Sequence, residues 1–199
     1  MKRQSEALLP TPQGNFNMIA YAEDAADPMP HLALVSERLE TDGPVLVRIH
    51  SECITGDLFG SKRCDCGEQL EKSLELTAEL GGIVIYLRQE GRGIGIINKL
   101  KAYQLQDQGL NTIDANLHLG LEIDARHYDI AIQMLEDLGV TTIDLLTNNP
   151  LKLDAFAHSS VRVRSRLPLH IPAQKENYQY LKTKKDDMGH WLKVNGVFK

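Results

Sequence analysis

A chain of 199 residues, 42% hydrophobic and 25% charged, has the make-up of a globular protein. At that length folding buries roughly 70% of the unfolded surface, so neither disulfides nor a metal is needed to hold the fold. The formal net charge of -5 gives no broad basic face. This argues against a long nucleic acid as partner and leaves room for a small anion held by a local cluster of cations.

The N-terminal MKRQSEALLPTPQGN lacks the apolar run of a signal peptide. No stretch approaches the ~20 apolar residues of a membrane helix. A soluble, cytoplasmic protein with no membrane partner is therefore expected. Pro28 and Pro30 punctuate a loop between two early extended runs. HLALVSE (31–37) and PVLVRIH (44–50) read as strands, with TDG as a turn between them. Residues 67–80 read as a helix with Leu70 and Leu74 four apart, and GIVIYL (82–87) as a short buried strand.

RQEGRGIG is a glycine-rich loop, and a helical pattern follows from about Ile96 to Gln108. Residues 128–138 give the clearest helix: Ala131, Met134, Leu135 and Leu138 share one face, and Gly139 ends it. TTIDLL (141–146) is a strand, and TNNP leads into a short helix with Asn149 as N-cap and Pro150 at its first position. VRVRSRLPL (161–169) is a late strand, and the last thirty residues read as a mix of loop and helix. The first sixty residues are hairpin-like, and strands alternate with helices after residue 80. The prediction is an α/β fold, α+β-like in its N-terminal part: a mixed β-sheet layered with helices in a single compact domain.

All three cysteines, Cys53, Cys64 and Cys66, fall within SECITGDLFGSKRCDCGEQ (51–69). In a cytoplasmic protein such clustering points to metal or chemistry before disulfides. Three thiolates plus water give a four-coordinate zinc with one open position, the catalytic arrangement, in which the pKa of the bound water falls toward neutrality. Two alternatives stand beside this. The thiols could be small buried hydrophobes, or the site could be a closed structural zinc with His50 as fourth ligand.

RQEGRGIG lies at a strand-to-helix junction, where backbone amides face an anion and glycines allow close approach. Arg88 and Arg92 add fork-shaped donors suited to phosphate. A turn with solvated arginines explains the same residues. LLTNNP, with Lys152 in the following turn, is a second such junction, and again a ligand loop and a well-capped helix start are both open. Asp124 and Arg126 lie two apart in EIDARHYD and, on their own, read as solvated charges. Tyr103 is spaced with Ile96 and Leu100 as part of an apolar helix face, so core packing is its default.

Taken together, RIHSECITGD, RCDCG, RQEGRGIG, YQLQDQG, TNNP and YLKTKKDDMGH resemble GTP cyclohydrolase II, from about residue 8 to residue 192. The resemblance implies an enzyme that takes GTP with zinc and magnesium. Water attacks C8 of the guanine, the imidazole ring opens, and formate and pyrophosphate leave. The product is a diaminopyrimidine carrying ribosyl 5-phosphate, at the first step of riboflavin biosynthesis. By position it implies Cys53, Cys64 and Cys66 as zinc ligands. GTP contacts fall on Arg48, Ile49, His50, Ser51, Glu52, Gln69, Glu90, Gly91, Arg92, Thr112, Thr147 and Lys152. Asp124 matches the family's proton acceptor, Arg126 its assigned nucleophile and Tyr103 its catalytic tyrosine.

The resemblance also implies a homodimer and one cyclohydrolase domain across residues 1–199. The single-function form is expected, since no dihydroxybutanone phosphate synthase segment precedes the match. Chemistry supports most of these roles: Gln69 can hydrogen-bond a guanine edge, Arg92 and Lys152 suit the triphosphate, and magnesium bridges its oxygens. A guanidinium with a pKa above about 12 is a poor nucleophile, so Arg126 is easier to accept as a charge clamp. Leu151 stands where the family carries a lysine, and residues 155–160 form a shortened segment. Two rival readings are a ring-opening enzyme of another heterocycle pathway and a non-catalytic zinc module.

Overall fold

The computed structural model describes residues 1–194. The chain forms two compact units interleaved in sequence: Met1–His50, Leu70–Arg88 and His127–Leu169 make the first, and Ser51–Gln69, Gln89–Arg126 and the segment from His170 make the second. The strands are β1 (Lys2–Thr11), β2 (Gly14–Ala22), β3 (His31–Ser36), β4 (Val45–Ser51), β5 (Gly82–Leu87), β6 (Thr142–Leu146) and β7 (Arg162–Leu167). The helices are α1 (Ile54–Asp57), α2 (Cys66–Leu80), α3 (Gly95–Asp107), α4 (Thr112–His118), α5 (Asp129–Asp137), α6 (Pro150–Asp154) and α7 (Tyr178–Asp186). A 3-10 turn covers Glu90–Gly93.

The first unit holds one seven-stranded mixed sheet in the order β1-β2-β3-β5-β4-β6-β7. β1, β2, β3 and β5 pair antiparallel in succession, while β4, β6 and β7 run parallel. The period-2 alternation of side chains splits the core into two layers. Ile83, Ile85 and Leu87 of β5 join Val45, Val47 and Ile49 of β4 and Ile143 and Leu145 of β6 in a cluster with Ala131, Met134 and Leu135 of α5. Val84, between them in sequence, faces the other way and packs with Phe16, Leu34 and the Leu70–Leu74–Ala78 stripe of α2. One face is thus covered by α5 and the other by α2, as the apolar spacing of each helix predicts.

The expected turn at TDG does not make a hairpin of its two strands. β5 lies between β3 and β4. Its side chains are almost wholly buried, and a run apolar on both faces takes a central place in the sheet. β1 carries no alternation in its sequence because it is an edge strand, mostly exposed and charged at Lys2, Arg3 and Glu6. The TNNP reading holds: the Asn149 side chain accepts a hydrogen bond from the Leu151 amide, and Pro150 opens α6. The mixed loop and helix expected near the C-terminus is realised in α7, while 195–199 lie outside the described residues. Among the described residues no helix is long and apolar enough to cross a membrane.

Candidate metal centre and active site

Two short segments of the second unit bring the cysteines together. α1 is a single turn: the Gly56 and Asp57 amides both donate to the Cys53 carbonyl, and the Cys53 amide donates back to Asp57 Oδ2 at 2.9 Å. Cys64 and Cys66 flank Asp65 at the start of α2. The segments approach through facing glycines. A Cβ on Gly67 would sit 2.4 Å from the Gly56 carbonyl oxygen, and one on Gly56 would sit 2.9 Å from Cys64 Sγ.

The three Sγ atoms lie within 4.8 Å of one another, with Cys53 and Cys64 3.6 Å apart. Zinc–sulfur bonds of about 2.3 Å in a tetrahedron set sulfurs about 3.8 Å apart, so this donor set fits such an ion. Among the described residues, the group that could hold an ion consists of these three cysteines. Three touching thiols cannot all ionise without a cation. Hydrogen bonds from Cys64 and Cys66, helped by the Lys99 ammonium, hold the Cys53 thiol far below the usual thiol range. Its bond with Cys53 pushes the Cys64 thiol up to about 11, and Cys66 is raised for the same reason.

Lys99 is the principal neighbour of the cluster. Its Nζ lies 3.0 Å from Cys53 Sγ, 2.9 Å from Thr55 Oγ1 and 2.8 Å from Glu90 Oε1. Glu90 in turn accepts from the Ile54 amide at 2.7 Å, tying the glycine-rich loop to the cysteine loop. The apolar face expected of α3 is overturned here. Leu100 is 49% exposed, and the buried positions of the helix are Lys99 and Ala102. The helix turns its lysine inward because a thiolate and a carboxylate await the ammonium there. Tyr103 stands near by, with Lys99 Nζ 5.8 Å and Arg63 Cζ 4.8 Å from its ring centre. Burial pushes its phenol up to about 12.

RQEGRGIG folds as a strained turn. Gly91 and Arg92 are both left-handed, with φ of 62° each. Arg92 lies 5.6 Å from the centre of the Tyr180 ring, and its Nη2 is buried with no hydrogen-bond partner among the described residues. The Arg92 carbonyl accepts from the Ala125 amide at 3.0 Å, which sets EIDAR beside the loop. Asp124 and Arg126 are not solvated charges: they form a bidentate pair at 2.7 and 2.5 Å with side chains only 12% exposed. Burial pushes the Asp124 carboxyl up, and Arg126 more than offsets this, leaving it below its ordinary value.

A family model described as GTP cyclohydrolase II matches residues 2–168. The chain belongs to the GTP cyclohydrolase II family. Riboflavin biosynthesis protein RibBA of Cytophaga hutchinsonii is 47% identical over 193 residues, covering 96% of this chain and 47% of that protein. Its namesake in Bacillus cereus is 48% identical over 193 residues, with 96% and 48% covered. The chain spans about half the length of these curated relatives. The crystal structure of RibBX, a two domain 3,4-dihydroxy-2-butanone 4-phosphate synthase from A. baumannii, has a TM-score of 0.49 and 23% identity, over 83% of this chain and 40% of that one.

The residues that the family resemblance singles out divide between the units. Ser51, Glu52, the cysteines, Gln69, Glu90, Gly91, Arg92, Tyr103, Thr112, Asp124 and Arg126 belong to the second. Thr112 opens α4, capped by Asn111. Arg48, Ile49, His50, Thr147 and Lys152 belong to the first. There the buried Arg48 donates to the Leu146 carbonyl, and Lys152 Nζ donates to the Ile49 carbonyl at 2.6 Å. The Ile49 side chain is core, and His50 stacks on Tyr86. Lys99, Asp65, Lys184 and His190 went unnoticed in the sequence. The partners of Lys99 lie 9, 44 and 46 residues away, and Asp65 lies 119 residues from Lys184, so no local spacing marks them.

Proposed function

We propose that this chain is a zinc-dependent GTP cyclohydrolase II: it opens the imidazole ring of GTP at C8, releases formate and pyrophosphate, and makes the diaminopyrimidine that begins riboflavin biosynthesis. The observation that carries this reading is the three-cysteine cluster, braced by Lys99 and Glu90, in a chain of this family. Cys53, Cys64 and Cys66 would hold the zinc, which when bound supplies an activated water at its fourth position. Three thiolates around a divalent ion leave one negative charge, and Lys99 offsets it. Magnesium accompanies the triphosphate.

The chain's own groups take the remaining roles. Tyr103 keeps its phenolic proton at neutral pH and is the donor to the ring nitrogen that gains charge. Arg126, whose Nε and Nη2 are occupied by Asp124, acts as a charge clamp at the α-phosphorus, and Asp124 orients it or serves as base. Arg92, whose Nη2 has no partner among the described residues, reaches a phosphate, as does Lys152. Arg48 to Glu52, Glu90, Gly91, Thr112 and Thr147 complete the GTP contacts, and Gln69 meets the guanine edge. The working protein is a cytoplasmic homodimer whose exposed Leu58, Phe59, Ile97 and Leu100 are apolar surface for a second copy to cover. Residues 1–199 act as one cyclohydrolase domain.

The test is to incubate zinc-loaded protein with GTP and magnesium and to assay formate and pyrophosphate together. Equimolar release is expected, and Cys64→Ser abolishes it. An active zinc-free variant refutes the reading. A covalent guanylyl adduct trapped on Arg126 overturns its assignment as a clamp.

A further inference from the structure

Asp65, between two of the cysteines, is only 2% exposed, and both of its oxygens are engaged. Oδ2 accepts from Gln69 Nε2 at 2.5 Å, one turn further along α2. Oδ1 faces Lys184 Nζ of α7 at 3.4 Å, with side-chain exposures of 12% for the lysine and 3% for the aspartate. Lys184 is itself held over the Tyr180 ring, 4.9 Å from its centre.

The two ends of a glutamine amide are alike in shape and opposite in hydrogen-bonding character. A carboxylate paired with an ammonium can only accept. The NH2 end of Gln69 must therefore face Asp65, and the carbonyl end is the group the side chain can offer to a base as an acceptor. Guanine carries two adjacent donors, N1–H and the 2-amino group. Adenine has an acceptor at N1, and hypoxanthine has no 2-amino group.

We propose that Asp65 is a specificity-determining positioning residue: it locks the Gln69 amide so that Oε1 receives the donor edge of guanine, and Lys184 holds Asp65 in place. The inference rests on reading the site as a guanine-nucleotide site with Gln69 at the base. It adds a reason why that glutamine presents an acceptor, and it assigns a role to α7, which lies beyond the residues matched by the family model.

The test compares GTP with inosine triphosphate, which differs only in lacking the 2-amino group, on wild type and Asp65→Asn. An asparagine can turn its NH2 to Gln69 Oε1 and so release the amide. The ratio of kcat/KM for the two nucleotides is measured on one preparation, so the folded fraction cancels, and zinc content is read alongside. The expected result is a GTP preference that falls about tenfold in Asp65→Asn, through KM and not kcat, with zinc content unchanged. Asp65→Ser, whose hydroxyl can also donate, takes its place if the asparagine variant does not fold. An unchanged ratio, an equal loss on both nucleotides, or loss of zinc overturns the proposal.

Calorimetric binding of the same nucleotides separates the two layers of the argument. A wild type that releases no formate, yet binds GTP in preference to inosine triphosphate and loses that preference in Asp65→Asn, sinks the activity and keeps the positioning role. A wild type that binds neither sinks both.

Discussion

Gly67→Ala isolates the contact that closes the cysteine site. Gly67 lies in the first turn of α2, where alanine should favour the helix by about 0.5–1 kcal/mol. A Cβ there would stand 2.4 Å from the Gly56 oxygen and 3.0 Å from its carbon, whereas ordinary contact begins near 3.4 Å. The obstacle is backbone, so the Cys53 and Cys66 segments must part by about 1 Å. Overpacking of this kind costs about 1–3 kcal/mol, which exceeds the helix gain. Metal–ligand distances tolerate only about 0.2 Å, so zinc affinity should drop about 10- to 100-fold. Competition with a chromophoric chelator reads the affinity, and urea unfolding of the metal-free protein reads the stability. Gly43→Ala, which meets nothing within 4 Å, is the control. A Gly67→Ala protein that binds zinc like wild type and unfolds at equal or higher urea would refute the reasoning.

Lys99→Met leaves the largely buried Glu90 carboxylate without its ammonium, only the Ile54 amide remaining, and should cost about 3 kcal/mol in urea unfolding at pH 7, beyond any effect on turnover. His190 is pushed down to about 3 by its burial and then by Lys184 and Arg126. It therefore stays neutral in the fold while an unfolded histidine protonates below about 6.5. Its folded value is depressed, so stability is full above about 6.5 and is lost as pH falls toward 3, at up to about 1.4 kcal/mol per pH unit. His190→Gln should flatten that slope when urea midpoints of metal-free protein are compared at about pH 7 and about pH 5.5. Chelating the zinc should stop formate release, lower the thermal midpoint and open all three thiols to a disulfide reagent, and zinc should reverse each change.

Much of the fold was written in local patterns. The stripes of α2 and α5, the apolar run of β5 and the Asn149–Pro150 start of α6 each state their own burial or cap, and each formed where its pattern lies. Strand order was not legible, because the insertion of β5 between β3 and β4 is a choice about which run needs cover on both faces. Three clustered cysteines pointed to a metal site, and the fold does gather their sulfurs into one group. The inward lysine of α3 did not show: Ile96, Leu100 and Tyr103 suggest an apolar face, and only the fold supplies the charges that draw Lys99 inside. Asp124 and Arg126 looked like surface charges because a sequence does not report exposure. α4 was missed although Asn111 and Asp114 mark its start.

The left-handed backbone of Arg92 sets two demands against each other. A side chain at that φ costs about 1 kcal/mol, which glycine would not incur. Arg92→Gly should therefore raise the unfolding midpoint, while removing the guanidinium whose Nη2 has no partner among the described residues. A screen that rewarded heat resistance alone would recover that replacement and lose turnover. At this one residue the more robust molecule and the working molecule are different sequences.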